Sequence, residues 1–492
     1  MDVFMGDTDA FAWNMERDPT LRATIIGVAW MERSPDWDQL LEKVDRATRL
    51  IPMFRQRVVE PPGRLATPRW TVDERFDLTW HVRRVDSPAP HTPATVIELA
   101  RNASMTAFDH AHPLWEFTLV ERLRGNHAAL VMKVHHALTD GIGGMQLALE
   151  LFDLEPTPPA PASLPEGANG ERLGTGSLIR ESLVHDWERA FGFVSRAAVS
   201  AVPSAWHAAR HPMASAGDVL ETTRSIARTL APVSETLSPV MKERSVARQL
   251  DMLEVQLTDL KHAAAAAGGS LNDGFMAAVT GGLRRYHERH GAPVDELRVT
   301  LPISIRTPDD PPGGNRITLI RFAVPVGDAD PASRIRALGR LCRAARDEDS
   351  LRYTGAIAGT LNLLPRGVVG SMLKHVDFVA SDIPGFAFPV FLAGAPVERY
   401  VAFAPTTGTA VNLALLSYNG TCCVGITMDA AAVADPEVLA ECFREGFEEV
   451  LALGGAHDPV RLPLRDVPKT PPRRQPKRQL AGASTTSGIT AS

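Results

Sequence analysis

Cysteine is scarce in this 492-residue chain, which has only four. Cys342, Cys422, Cys423 and Cys442 form no C-x-x-C pair and no zinc-type spacing. A disulfide framework is excluded, and reduced thiols in a cytosolic protein are expected. Cys422 and Cys423, side by side, should face opposite sides of a strand. The first thirteen residues carry Asp2, Asp7 and Asp9 and no basic residue, the wrong charge for a secretory signal. No uncharged apolar run reaches the roughly 18 residues of a membrane-spanning helix. The nearest candidate, 191–209, is broken by Arg196, Pro203 and His207. Positive charge is not in excess: 52 Lys+Arg against 58 Asp+Glu give a net charge of −6. A nucleic-acid partner that depends on bulk basicity is therefore not expected. There is no G-x-S-x-G elbow, no phosphate loop and no dinucleotide fingerprint.

What is present suits a soluble globular protein, with 44% hydrophobic and 22% charged residues. At roughly 150 residues per domain the chain holds two large domains or three smaller ones. A first block, 1–154, opens with a strand at 24–31 and a helix at 35–49 that Ser34 is placed to cap. A helix at 96–105 follows, then a hairpin of 117–121 and 128–134 around Arg124-Gly125-Asn126, and a helix at 145–152. A linker and connector, 155–248, begins with Pro156, Pro158, Pro159, Pro161 and Pro165, then Gly167, Gly170, Gly174 and Gly176. Its helical part, 177–248, mixes aromatic and basic residues around 191–211, a pattern that fits a membrane-surface helix or one packed on its own protein. The second block, 249–466, reads as helices at 259–267 and 272–290, strands at 297–306 and 318–326, and a helix at 331–346. A hairpin of 411–418 and 421–428 turns on Asn419-Gly420, and a last helix covers 435–453. The tail, 467–492, is basic and reads as disordered. Helices mixed with antiparallel hairpins in both blocks predict an α/β sandwich built twice, not a doubly wound sheet. The crevice between the two is a natural ligand site.

The chemistry concentrates at Val131 to Gly141. An apolar strand delivers His135 and His136 at its end, and Asp140-Gly141 follows. Neighbouring strand residues face opposite ways, so one imidazole enters a given pocket and the other stays in the protein and fixes the backbone. A short turn brings Asp140 back beneath the pocket, and Gly141 permits a tight backbone. The layout suits His136 as a general base near neutral pH. A structural pair of buried histidines is the alternative. A metal site is not expected, because no third ligand stands at helical spacing.

His135-His136-x-x-x-Asp140-Gly141 resembles the HHxxxDG signature of the CoA-dependent acyltransferase superfamily. Within it, the chain is similar to the bacterial wax ester synthase/diacylglycerol acyltransferase family from about residue 5 to 455. Thr8-Asp9-Ala10, Pro113-Leu114-Trp115, Asn272-Asp273, Leu301 to Arg306, Ser381 to Gly385, Leu392 to Ala395 and Asn412 to Tyr418 follow in that family's order. Asp382 stands where the family usually has Asn, and Gly274 where an apolar residue is commoner. The resemblance implies two chloramphenicol-acetyltransferase-like mixed-sheet sandwich domains joined by a helical connector, with the active site at their interface. It implies transfer of a long-chain acyl group from acyl-CoA, a co-substrate rather than a cofactor, to diacylglycerol or a long-chain alcohol.

In that scheme His136 takes the proton of the acceptor hydroxyl and returns it to the leaving thiol. Asp140 holds the loop, with Arg306 of the second block as its candidate partner. Asn272 orients substrate or caps its helix, with Asp273 beside it. Pro113 and Trp115 shape the acyl pocket or the core beneath it. An apolar interblock tunnel is expected to serve both substrates, and peripheral contact with the inner membrane face or lipid droplets follows from such insoluble acceptors. The rivals are a condensation-type enzyme fed by a carrier-protein thioester, small-molecule acetylation, and a non-catalytic droplet protein.

Overall fold

The computed structural model describes residues 3–60, 67–158, 235–304, 317–347, 370 and 373–465. Two six-stranded sheets organise them. In spatial order the first sheet is Phe391–Leu392, Ala395–Phe403, Thr24–Met31, Ala128–His135, Trp115–Glu121 and Val82–Asp86. All its pairs are antiparallel except the last. The second sheet is Ile317–Pro325, Glu296–Ser304, Phe378–Ile383, Val411–Tyr418, Thr421–Asp429 and Arg248–Gln256. Phe378–Ile383 runs parallel to both its neighbours there. This is the twice-built mixed α/β sandwich that the sequence predicts.

The central strands Thr24–Met31, Ala128–His135, Val411–Tyr418 and Thr421–Asp429 are buried on both faces, so they read as continuous apolar runs, while the edge strand Val82–Asp86 is largely exposed. One face of the second sheet packs on the helices Leu257–Ala266, Leu271–Arg289, Pro331–Arg346 and Pro436–Leu451 in a single core. Cys422 joins that core, while Cys423 points the other way into an interblock core. There Ile26, Val28 and Val131 of the first sheet meet Val96 and Ala100 of the helix Pro93–Met105, and Leu250 and Met252 of the second sheet.

The blocks are also interlocked by the chain itself. Ala395–Phe403 lies in the second block by sequence yet bonds along Thr24–Met31 of the first. It crosses so close to Thr421–Asp429 that the Ala402 carbonyl fills the place of a Cβ on Gly425. Only glycine fits under that carbonyl. Arg399 on this strand pairs with Glu254, and Arg248 Nη2 donates to the Thr20 carbonyl at 3.2 Å.

Helix starts follow short polar side chains. Asp36, not Ser34, caps Trp37–Leu50, its Oδ1 accepting from Gln39 N at 2.9 Å. Ser34 donates its hydroxyl to Glu121 instead, at 2.5 Å. Asp36 stands one residue before the first helical position, where its oxygen reaches an otherwise orphan amide.

Candidate active site

Every residue of the strand Ala128–His135 is buried, and Thr24 faces His135 across the ladder. At the strand's end the chain turns sharply, with Leu138 N donating to His135 O at 2.9 Å. Asp140 then caps the helix Gly141–Leu151, its Oδ1 accepting from Gly143 N at 2.7 Å. The motif is thus a strand end, a tight turn and an N-cap in sequence. Gly141 is the first helical residue, and the crowded glycine is Gly143, where a Cβ would collide with the Thr139 hydroxyl.

His135 is fully buried. Its Nδ1 accepts from Ala137 N at 3.0 Å, so the ring proton sits on Nε2. Nε2 faces Glu16 Oε2 at 3.4 Å, long for a hydrogen bond and chiefly an electrostatic contact. Trp13 and Phe108 enclose the ring edge-on, with centroids at 6.2 and 5.8 Å. Glu16 is itself buried and takes the Ala23 amide at 3.0 Å. Burial alone would raise its carboxyl. The contact with His135, the Ala23 amide and the charge of Arg22 override that and hold it below the ordinary value.

His136 donates its amide to the Ala23 carbonyl at 2.8 Å. Its side chain is half-buried, and Nδ1 is enclosed without a partner among the described residues. Burial lowers its pKa. A contact with its own backbone and the Asp140 carboxylate oppose the shift without cancelling it. The imidazole is therefore neutral at physiological pH, the form that can accept a proton.

Two motifs far apart in sequence meet here, because His135 N donates to the Leu114 carbonyl at 3.0 Å. Trp115 beyond it is fully buried in the first block's core rather than in an open pocket. It stacks on His81 with centroids 4.4 Å apart, and its Nε1 donates to Phe54 O at 2.8 Å. Pro113 accepts from Trp115 N at 2.9 Å, making a tight bend before the strand.

Asn272 and Asp273 lie in the first turn of Leu271–Arg289. Ser270 is the cap there, and Asp273 closes a capping box by taking the Ser270 amide at 2.9 Å. Asn272 is therefore not the N-cap. It hydrogen-bonds the Cys342 thiol, which burial pushes up to about 11. The contacts described for both residues stay within the second block's helical layer. Arg306 lies outside the described residues.

Between the blocks, beside Thr24, is a small cleft lined by Arg22, Met105, Arg248, Leu250, Phe403 and Thr427, among others. The hydroxyls of Thr24 and Thr427 are buried without partners among the described residues. Its lining mixes polar and apolar side chains. Glu16, Trp13 and Phe108 escape sequence reasoning. An acid at the C-terminal end of the helix Asp7–Met15 gives no sign that it will meet a histidine more than a hundred residues away.

Residues 5–275 match the wax ester synthase/diacylglycerol acyltransferase catalytic domain, and 313–450 match the C-terminal domain of the same family. A Mycobacterium tuberculosis protein named as a diacylglycerol O-acyltransferase, Rv2484c, is 36% identical over 463 residues, covering 93% of this chain and 94% of that one. A second from that species, Rv1760, named likewise, is 27% identical over 433 residues, covering 83% and 81%. The wax ester synthase/diacylglycerol acyltransferase from Marinobacter aquaeolei VT8 superposes with a TM-score of 0.62 at 19% identity, over 92% of this chain and all of that one. The first condensation domain of the calcium-dependent antibiotic synthetase does so with 0.61 at 13% identity, covering 95% and 99%. At such identities the structural likeness speaks for the fold alone.

Proposed function

The chain belongs to the wax ester synthase/diacylglycerol acyltransferase family, and from that premise we propose that it moves a long-chain acyl group from acyl-CoA to diacylglycerol, with a long-chain alcohol as second acceptor. The observation that carries this reading is His136: half-buried, its pKa lowered by burial, and mounted on a turn whose amides at 136, 137 and 138 are engaged. His136 takes the acceptor's hydroxyl proton as the oxygen attacks the thioester carbonyl. Charge then sits on the tetrahedral oxyanion and on the imidazolium, which stabilise each other in a poorly solvated place. Collapse breaks the C–S bond, and the CoA sulfur leaves with the proton from His136. One C–O bond has replaced one C–S bond, with no acyl-enzyme between.

Burial disfavours the imidazolium until the oxyanion forms, so the site favours the charged intermediate over the free cation. Asp140 acts through the turn it caps. Arg306, as its partner across the blocks, is part of the same reading. The acceptors are insoluble, so the protein works from the cytoplasm at the inner face of a membrane or a lipid droplet. Among the described residues no helix is long and apolar enough to cross a membrane. The connector stretch 191–211 and the basic tail, the sequence's candidates for surface contact, lie outside the described residues.

The test supplies radiolabelled palmitoyl-CoA with dioleoylglycerol or hexadecanol and resolves the lipid products. Labelled triacylglycerol, formed only when diacylglycerol is present, is expected. Ester formed from a carrier-protein thioester and not from free acyl-CoA would overturn the donor assignment. No ester with either acceptor would overturn the reading.

A further inference from the structure

We infer that Glu16 positions the His136 base, its carboxylate tying down both peptide planes that flank the His136 Cα. The inference rests on the acyltransferase reading of His136 and deepens it. Two routes lead from one oxygen. On the first, Glu16 Oε2 holds the Ala23 amide at 3.0 Å, and the carbonyl of the same residue takes the His136 amide at 2.8 Å. On the second, Oε2 lies 3.4 Å from His135 Nε2, and Nδ1 of that ring takes the Ala137 amide at 3.0 Å. The amides of residues 136 and 137 belong to the peptides before and after His136. Fixing both planes fixes φ and ψ of His136, and with them the place of its imidazole.

The arrangement also selects a tautomer. His135 can accept from Ala137 at Nδ1 only if its proton is on Nε2, and a carboxylate facing Nε2 favours that form. A flipped ring would set Nδ1–H against the Ala137 amide, and the turn would open. The ring is fully buried, with Trp13 and Phe108 against it.

Stability alone is a poor reason for this group. Glu16 is 6% exposed, and its Oε1 has no hydrogen-bond partner among the described residues. The Arg22 Nε opposite is 3.9 Å away and likewise unbonded. A buried carboxylate with an unsatisfied oxygen costs folding energy that an apolar side chain would not. What the carboxylate supplies is orientation of the turn that carries the base.

Glu16→Ala should lower kcat roughly 100-fold with KM for acyl-CoA unchanged, because displacement of a base by about 1 Å has an effect of that order. Glu16→Gln keeps an oxygen in place of Oε2 and should recover most of the loss. Two readouts need no turnover. Nitrogen-15 histidine spectra should show His135 as the Nε2–H tautomer in the wild type and as a mixture in Glu16→Ala. Amides 136 and 137 should exchange about tenfold faster in either variant that loosens them, as expected when one hydrogen bond is lost, while Val131 to Val134 stay protected.

Wild-type kcat in folded Glu16→Ala would overturn the inference. So would faster exchange along the whole strand Ala128–His135, which marks general loosening. If Glu16→Ala does not fold, unaltered His135 tautomer and exchange in Glu16→Gln together with lost activity would overturn it as well. Should the wild type make no ester at all, the acyltransferase reading fails, and the tautomer and exchange data still judge the link from Glu16 to the turn.

Discussion

Trp115→Phe separates a core role from a pocket role for a residue that the family resemblance leaves between them. Trp115 is fully buried, its Nε1–H donates to the Phe54 carbonyl at 2.8 Å, and its ring lies on His81 at 17° between planes. Phenylalanine keeps one ring and loses the N–H and the second ring. The Phe54 carbonyl then lacks its indole donor, at about 1–3 kcal/mol. The space left by the smaller ring adds about 1 kcal/mol. We therefore expect a loss of about 2–4 kcal/mol, read as a lower urea midpoint with an unchanged m-value. Measured per folded molecule, kcat/KM should stay within about twofold for acyl-CoAs of different length, because no substrate contact is removed. The reasoning fails if the midpoint holds and preference moves to longer chains. Trp115 would then line the acyl site.

Three further outcomes follow from the same geometry. Asp140→Ala removes the N-cap bond to Gly143. Thermal unfolding should show a loss of about 1 kcal/mol, and acceptor-dependent CoA release should fall more than that small loss explains. Tyr418 donates to Val397 O at 2.6 Å and accepts from Val390 N at 3.2 Å, pinning the segment that crosses to the first sheet. Tyr418→Phe strands both groups, and a loss of about 2–4 kcal/mol in chemical denaturation is expected.

Burial holds His81, His136 and His287 below their ordinary value of 6.5. The unfolded chain therefore binds protons near pH 6 that the folded chain does not. Stability should be full above about pH 6.5 and fall as pH drops below it, by at most about 1.4 kcal/mol per unit for each such histidine. A flat urea midpoint across that range would contradict those burials.

Local patterning carried much of the fold. The strand Thr24–Met31 and the Asn419-Gly420 hairpin stand where apolar runs and turn residues put them. The two-sandwich architecture followed from helices mixed with hairpins. Non-local pairing was not legible. Nothing in the residues of Ala395–Phe403 says that they will bond to a strand near the other end of the chain. Cap identity was legible only to within two residues: Asp36 replaced Ser34, and Ser270 rather than Asn272 caps its helix. Both errors have one cause, since Ser, Asp and Asn offer similar oxygens and the turn geometry chooses among them.

At the site, His135, His136 and Asp140 announced themselves by spacing. Glu16 did not, because its role exists only once Thr24–Met31 has paired with Ala128–His135 and brought Ala23 beside the turn. Asn272 and Asp273 were legible as a motif, yet their described contacts are structural ones.

The measurement that bears most directly on the account is the thiol released from palmitoyl-CoA with diacylglycerol present, compared between wild type and His136→Ala at equal folded concentration. Acceptor-dependent release is expected from the wild type and its loss from the variant, on the order of 100-fold or more for a missing general base, with unfolding little changed. Release by His136→Ala at the wild-type rate would contradict His136 as the base.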